Sequence, residues 1–342
     1  VDCPLKTSTK IDSARVTGHF HGVSNRDTDQ LYCERVSRTH ARTFALASRL
    51  LPAAKRRAAF ALYAFCRIAD DLVDSAPYAS VAETRAALAQ YQRKLDLALI
   101  GRGDGPVFRE VARVVQEYGV PGDPLHELLD GVARDLKPPR YSTWDDLESY
   151  CQGVASSVGE MCTYVFGMAS ADTRRSEVLR YARTLGVAMQ LTNILRDVGE
   201  DVQRQRCYLP ESDLALFDLT PDDVLTNARL GLDDRFRHMM VFEIARARSL
   251  YRVAAPGIAM LARDAQGCAS ACATGYAGIL TAIEQQEFDT ISSRARVGRL
   301  ARVGILWGAW RFRPSVVSSA SETGLFWEEP ASGPPGSWAR RA

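Results

Sequence analysis

Lysine is scarce in this chain, and neither sign of charge dominates. Five lysines leave arginine to supply nearly all the positive charge, and 43 basic against 41 acidic residues give a net +2. That balance excludes a strongly basic nucleic-acid binder, so no nucleic-acid partner is expected. Histidine is sparse too: His19 and His21 sit in a polar stretch and build no metal cluster. The eight cysteines form no C-x-x-C pair, which argues against a zinc site or a small disulfide scaffold. They read as reduced core thiols, and the expected compartment is the cytoplasm.

Several other features are missing. There is no alternating strand pattern, no solenoid period, and no Gly/Pro/Ser-rich linker in the middle of the chain. The N-terminus has no apolar signal core, so secretion is not expected. The longest uncharged run, 265–283, is rich in Gly, Ala, Ser and Thr, which suits a tightly packed core helix better than lipid. The glycine-rich stretch 101–106 follows a helical pattern and lacks the spacing of a nucleotide loop, so it reads as a turn. No dinucleotide fingerprint is visible, and no NADPH is expected.

What remains is helical periodicity over most of the 342 residues, with 46% hydrophobic content to build a core. Helices are expected near 29–38, 41–51, 55–74, 81–100, 106–118, 123–134, 143–169, 174–202, 221–228, 232–262, 266–287 and 290–311. Pro52, Pro77, Pro121, Pro138, Pro139 and Pro210 fall between them, where proline belongs. The expected organisation is one all-α domain over 29–312 between disordered tails at 1–28 and 313–342. Segment 299–313 mixes Leu300, Val303, Ile305, Leu306, Trp307 and Trp310 with arginines. It is compatible with peripheral contact at a membrane surface, and equally with a helix end packed on the domain.

Two aspartate sets carry the chemistry. Asp70, Asp71 and Asp74 lie in one apolar helical run, and Asp197, Glu200 and Asp201 in another about 120 residues later. At about 100° per residue, Tyr63, Arg67, Asp70 and Asp74 share one stripe, and Gln190, Asn193, Asp197 and Asp201 share another. Like charges four residues apart repel, and more strongly when they face a pocket, so a cation should neutralise them. Carboxylates with an amide, and no Cys or His beside them, suit Mg²⁺ (or Mn²⁺), whose other positions are filled by phosphate oxygens. The competing reading is two solvated acidic faces, against which both runs look buried almost all round.

Groups suited to a diphosphate lie nearby. Segment 37–43, Ser-Arg-Thr-His-Ala-Arg-Thr, sits at a helix start with hydroxyls and basic side chains, a phosphate cradle or else a plain helix cap. Arg67 and Arg196 either pair with the neighbouring acids or serve a departing diphosphate. Small residues among Tyr150, Gly153, Val154, Ala155, Ser156, Ser157 and Gly159 permit close approach of a backbone or a hydrocarbon.

Three blocks together resemble the squalene and phytoene synthase family of trans-isoprenyl diphosphate synthases, over roughly residues 30–300, and within it most closely the bacterial phytoene synthases. They are the run Leu62 to Arg67 leading into Asp70-Asp71-Leu72-Val73-Asp74, the run Tyr150 to Ala155, and Gln190-Leu191-Thr192-Asn193-Ile194-Leu195-Arg196-Asp197-Val198-Gly199-Glu200-Asp201 followed by Tyr208-Leu209-Pro210. The resemblance implies a terpenoid-synthase-type helical bundle around a central cavity. It adds Phe44, Tyr63, Tyr150 and Tyr276 as candidate walls of that cavity, with Ala41, Ala47 and Ser48 giving it depth and Phe60 helping to close its floor. It implies Mg²⁺ at Asp70, Asp74, Asn193, Asp197 and Asp201, with Tyr150 beside these acids in catalysis. Substrate contacts would come from His40, Ala41, Arg42, Thr43, Tyr63, Arg67, Gln190, Arg196 and Tyr276. Ser156-Ser157 stands where the family usually has Gly-Thr, and Gln205 with Cys207 alters the usual Arg-Gly-Arg-Ile. The expected reaction joins two geranylgeranyl diphosphates head to head into phytoene. The same chemistry on C15 farnesyl diphosphate is the rival, and a noncatalytic helical assembly factor the alternative from another class.

Overall fold

Helical runs bounded by proline and by side-chain caps build the protein. The computed structural model describes residues 25–74, 80–170, 174–227 and 229–298, all within the unit Val1–Phe312. In chain order the α-helices are α1 Asn25–His40, α2 Arg42–Ala47, α3 Ala53–Asp74, α4 Val81–Leu99, α5 Gly105–Tyr118, α6 Gly122–Arg134, α7 Trp144–Cys151, α8 Ser157–Phe166, α9 Arg175–Arg196, α10 Val198–Gln203, α11 Glu211–Ala215, α12 Pro221–Thr226, α13 Asp234–Ala254, α14 Pro256–Ala259 and α15 Arg263–Gln285. No strand forms among the described residues, and an isolated antiparallel bridge joins Met168 to Leu261.

Helices α3 and α9 are central. Every residue of 58–67 in α3 is buried, and so is every residue of 190–199 at the end of α9 and the start of α10. Polar stripes on such helices face protein or cavity rather than bulk water. Around α3, ion pairs brace the first layer: Arg109 of α5 grips Asp29 of α1 with two bonds of 2.7 Å, and Arg57 of α3 grips Glu110 of α5. Helix α15 covers the run 265–283, whose small residues pack it closely, as expected.

Four expected elements differ. The helix expected over 143–169 is interrupted by a π-helical turn at Gln152–Ser156, where Gly153 meets Gly131 of α6 so closely that a Cβ on Gly131 would stand 2.9 Å from the Gly153 carbonyl carbon. The helix expected over 174–202 breaks at Asp197, at φ −100° and ψ 12°, because the N–H of Gly199 bonds Thr290 O at 3.1 Å. Only glycine permits this, since a Cβ there would lie 2.3 Å from Ile291 O. The helix expected over 232–262 is divided where Pro256 begins α14. Residues 290–298, expected as helix, are irregular and run back over α10.

Residues 101–104 of the glycine stretch form a turn as expected, with Gly101 at φ +80°, while Gly105, at φ +79°, and Pro106 begin α5. Helix α1 starts at Asn25, inside the stretch expected as tail. Residues 1–24 and 299–342, which hold the remaining tail expectations and the amphipathic segment 299–313, lie outside the described residues. No helix among the described residues is long and apolar enough to cross a membrane.

Candidate active site

An apolar cavity with an empty volume of about 1220 Å³, its mouth included, runs between α3, α8, α9, α14 and α15. Ala59, Tyr63 and Cys66 of α3 line one wall, and Val178, Gly186, Met189 and Asn193 of α9 line another. Gly186 lets α9 sit against the π turn, where a Cβ would be 2.6 Å from Ala155 O. Tyr63 stacks on Phe44 at 5.5 Å, and both line the cavity with Tyr276, as expected. Tyr150 does not line it. Its hydroxyl donates to Asp135 at 2.7 Å within a cluster with Tyr141 and Tyr208, which corrects its expected place in the wall.

The acids follow the cavity lining by one helical turn, Asp70 after Cys66 and Asp197 after Asn193, and arginines pair with Asp70, Asp71, Asp74 and Asp197. The buried Arg67 guanidinium pairs with Asp71 and, at 3.7 Å, with Asp70, so the pairing reading of Arg67 describes this structure. Asp74, on the same stripe, accepts from Arg204 at 3.0 Å and Arg206 at 2.6 Å. Asp197 takes two bonds from Arg196, 2.7 and 2.6 Å, and a third from Arg294 at 2.9 Å. Asp201 is buried beside them, its carbonyl accepting from the backbone N–H groups of Arg204 and Arg206. Burial, and then the charge of Asp74, push the Asp70 carboxyl well above the usual carboxylate range.

Among the substrate-binding candidates, His40 is buried and lies within electrostatic reach of Asp71. Ala41 is buried at the junction of α1 and α2, while the side chain of Arg42 is outside the described residues. Thr43 packs against Gly275, next to Tyr276. Gln190 and Asn193 line the cavity and bond one another at 3.2 Å.

Two buried oxygens test whether a cation fits. Oδ1 of Asn193 and Oδ2 of Asp70 have no hydrogen-bond partner, although buried acceptors are nearly always satisfied. Two hard oxygens on the facing stripes suit Mg²⁺. Among the described residues no three His, Cys, Asp or Glu side chains are grouped as a self-sufficient metal site, so water and substrate oxygens would have to complete the shell.

Sequence reasoning missed Asp135, Arg204, Arg206 and Arg294. Arg204 and Arg206 flank Gln205, whose departure from glycine was noted; Gln205 adopts φ +56°, and the turn it makes brings both arginines to Asp74. Arg294 comes from the segment expected as helix over 290–311 that is irregular after α15, and its place along the chain gave no sign of the acid it meets. The expected depth residues are also corrected. Ala41, Ala47, Ser48 and Phe60 are buried but do not line the cavity; Ser48 instead donates to Phe44 O at 2.7 Å.

Comparison with known proteins agrees with this arrangement. The profile of the family described as squalene/phytoene synthase matches residues 37–301. A phytoene synthase of Arthrospira platensis is 38% identical over 273 residues, 78% of this chain and 87% of its own length. A 15-cis-phytoene synthase of Synechococcus elongatus is 37% identical with the same coverage. A dehydrosqualene synthase crystal structure in complex with ligand superposes with a TM-score of 0.75 at 29% identity, covering 83% of this chain and 96% of that one. A squalene synthase of Alicyclobacillus acidocaldarius gives 0.68 at 28%, covering 77% and 96%. With its all-helical terpenoid-synthase fold, its acid-rich helices about an apolar cavity and these relatives, the chain belongs to the squalene/phytoene synthase family.

Proposed function

We propose that the protein condenses two geranylgeranyl diphosphates head to head, through prephytoene diphosphate, to phytoene with release of diphosphate. The observation that carries this reading is the lining of the cavity, apolar over most of its length and reaching Gln190 and Asn193 on α9, one helical turn short of the Arg196–Asp197 pair. On α9, Val178 and Asn193 mark its two ends fifteen residues apart, ~22 Å at about 1.5 Å per residue. An extended chain advances ~1.2 Å per bond, which makes a C20 tail ~18 Å and a C15 tail ~13 Å. Relatives named phytoene synthase support the same choice.

Asp70 and Asn193, with Asp74, Asp197 and Asp201, are the residues that would hold Mg²⁺ or Mn²⁺. Such an ion would supply charge neutralisation for the departing diphosphate. The chain does the rest. Arg67, Arg196, Arg204, Arg206 and Arg294 surround the position where negative charge grows and offer guanidinium forks to phosphate oxygens. The apolar walls keep water from the allylic cation, and the faces of Phe44, Tyr63 and Tyr276 offer it electron density. The second substrate's double bond then traps the cation, and loss of a proton closes the ring of a cyclopropylcarbinyl diphosphate, whose own ionisation, rearrangement and loss of a second proton complete the sequence.

The test is incubation of purified protein with labelled geranylgeranyl diphosphate, with and without EDTA and NADPH, and product identification by mass. Phytoene formed with metal and without NADPH is expected. Product that survives EDTA, or needs NADPH, would count against the reading. The likeness to a dehydrosqualene synthase keeps C15 chemistry as the second reading, and a competition between C15 and C20 diphosphates decides it.

A further inference from the structure

We infer that the far end of the cavity is a braced stop that sets the longest tail the site admits, with Phe166 and Leu261 as the residues that set it. Phe166 ends α8, Val178 lies in the first turns of α9, and Leu261 follows α14; all three line the cavity and are buried. The stop is held from several sides. Met168 and Leu261 form the antiparallel bridge, with Ala169 N bonding Met260 O at 2.9 Å and Ala262 N bonding Gly167 O at 3.0 Å. Lys55, near the start of α3, donates to Phe166 O at 2.7 Å and pairs with Asp264 at 2.6 Å. The Gln266 amide donates to Ala259 O and Leu261 O at 3.0 and 2.8 Å. A loop with its carbonyls tied this way is a rigid wall, not a flexible exit.

Val178, beside the stop, and Asn193, at the polar end of the lining, are fifteen residues apart on α9, ~22 Å. By the bond advance used above, a C20 tail spans ~18 Å and a C25 tail ~23 Å, so only the longer one takes up the whole ~22 Å between Asn193 and Val178. A C20 tail fits, and one more isoprene unit meets the Phe166 ring. Truncating that ring leaves the brace intact, because Lys55 holds the backbone carbonyl of Phe166 and not its side chain.

This rests on the proposed polyprenyl substrate, and binding tests it apart from turnover. Non-hydrolysable thiolodiphosphates of C15, C20 and C25 would be titrated by calorimetry into the full chain, into Phe166→Ala and into Leu261→Ala, with circular dichroism reporting the fold of each. The wild type is expected to bind C20 about tenfold or more tighter than C25, and at least one folded variant to close that gap about tenfold. The stop is overturned if the wild type binds C25 as tightly as C20, or if the gap survives in both variants. Affinities that follow the stop while C20 diphosphate gives no C40 hydrocarbon would sink the reaction reading and leave the stop standing.

Discussion

The Arg196 guanidinium and the Asp197 carboxylate of adjacent residues meet through two bonds of 2.7 and 2.6 Å, with no exposed surface on either side chain. Asp70 is held otherwise. It has one ion pair at 3.7 Å to Arg67 and an oxygen with no hydrogen bond. Both acids belong to the same site, yet replacing them should have opposite effects on stability.

Asp70→Asn is expected to lower turnover about 10²–10³-fold, the scale for losing one charge-stabilising group, while making the protein more stable. Its folded pKa is raised, so as pH rises above the unfolded carboxylate range the unfolded chain releases the proton first and wild-type stability falls. The variant's advantage should therefore grow with pH above about 4, the unfolded value. Denaturation midpoints across that range check this, and a variant less stable than wild type at pH 7 would refute it.

Asp197→Ala should unfold more easily, by about 3–5 kcal/mol, because it strips a buried guanidinium of its carboxylate. Urea midpoints for the two variants side by side decide it; similar midpoints would mean that Arg196 finds an equally good partner elsewhere.

Cation and diphosphate should stabilise the protein together. At 100 times the dissociation constant a ligand adds about 2.7 kcal/mol, so Mg²⁺ with inorganic diphosphate should raise Tm by several degrees. Asn193→Ala, which removes a buried acceptor lacking a partner, should remove most of that rise. An undiminished shift would show that Asn193 is not a ligand.

Far from the cavity, Glu243 is wholly buried against Arg246 and Asp213, and burial pushes its carboxyl up to about 8. Because the folded value is raised, the stability it confers is present at low pH and is lost as pH climbs through about 8. Glu243→Gln should flatten this loss, so the Tm difference between variant and wild type should increase from pH 5 to pH 9. Parallel Tm curves would contradict it.

Asp135 accepts from the hydroxyls of Tyr150 and Tyr208 at 2.7 and 2.8 Å. Asp135→Ala leaves two buried donors without an acceptor, at about 1–3 kcal/mol each, whereas Asp135→Asn retains one acceptor. Alanine should thus cost clearly more stability than asparagine, and equal losses would argue that the carboxylate's contacts are incidental.

Local pattern alone determined the helical class, most helix positions, and the two polar stripes that hold Asp70, Asp74, Gln190, Asn193 and Asp197, because periodicity and proline breaks act within a few turns of chain. The family resemblance, beyond the stripes themselves, implied a cavity with Phe44, Tyr63 and Tyr276 in its walls. Tertiary structure decided what each acid touches. Arg294 reaches Asp197 from 97 residues away and Arg206 reaches Asp74 from 132, pairings set by how the irregular segments lie across α10. It also turned Tyr150 toward Asp135, drew residues 290–298 out of helix by spending the Gly199 N–H on Thr290, and lined the cavity with Phe166 and Leu261 and not with Phe60. No run of neighbouring residues encodes these outcomes, since each is a contest among distant partners for buried charge, hydrogen bonds and space.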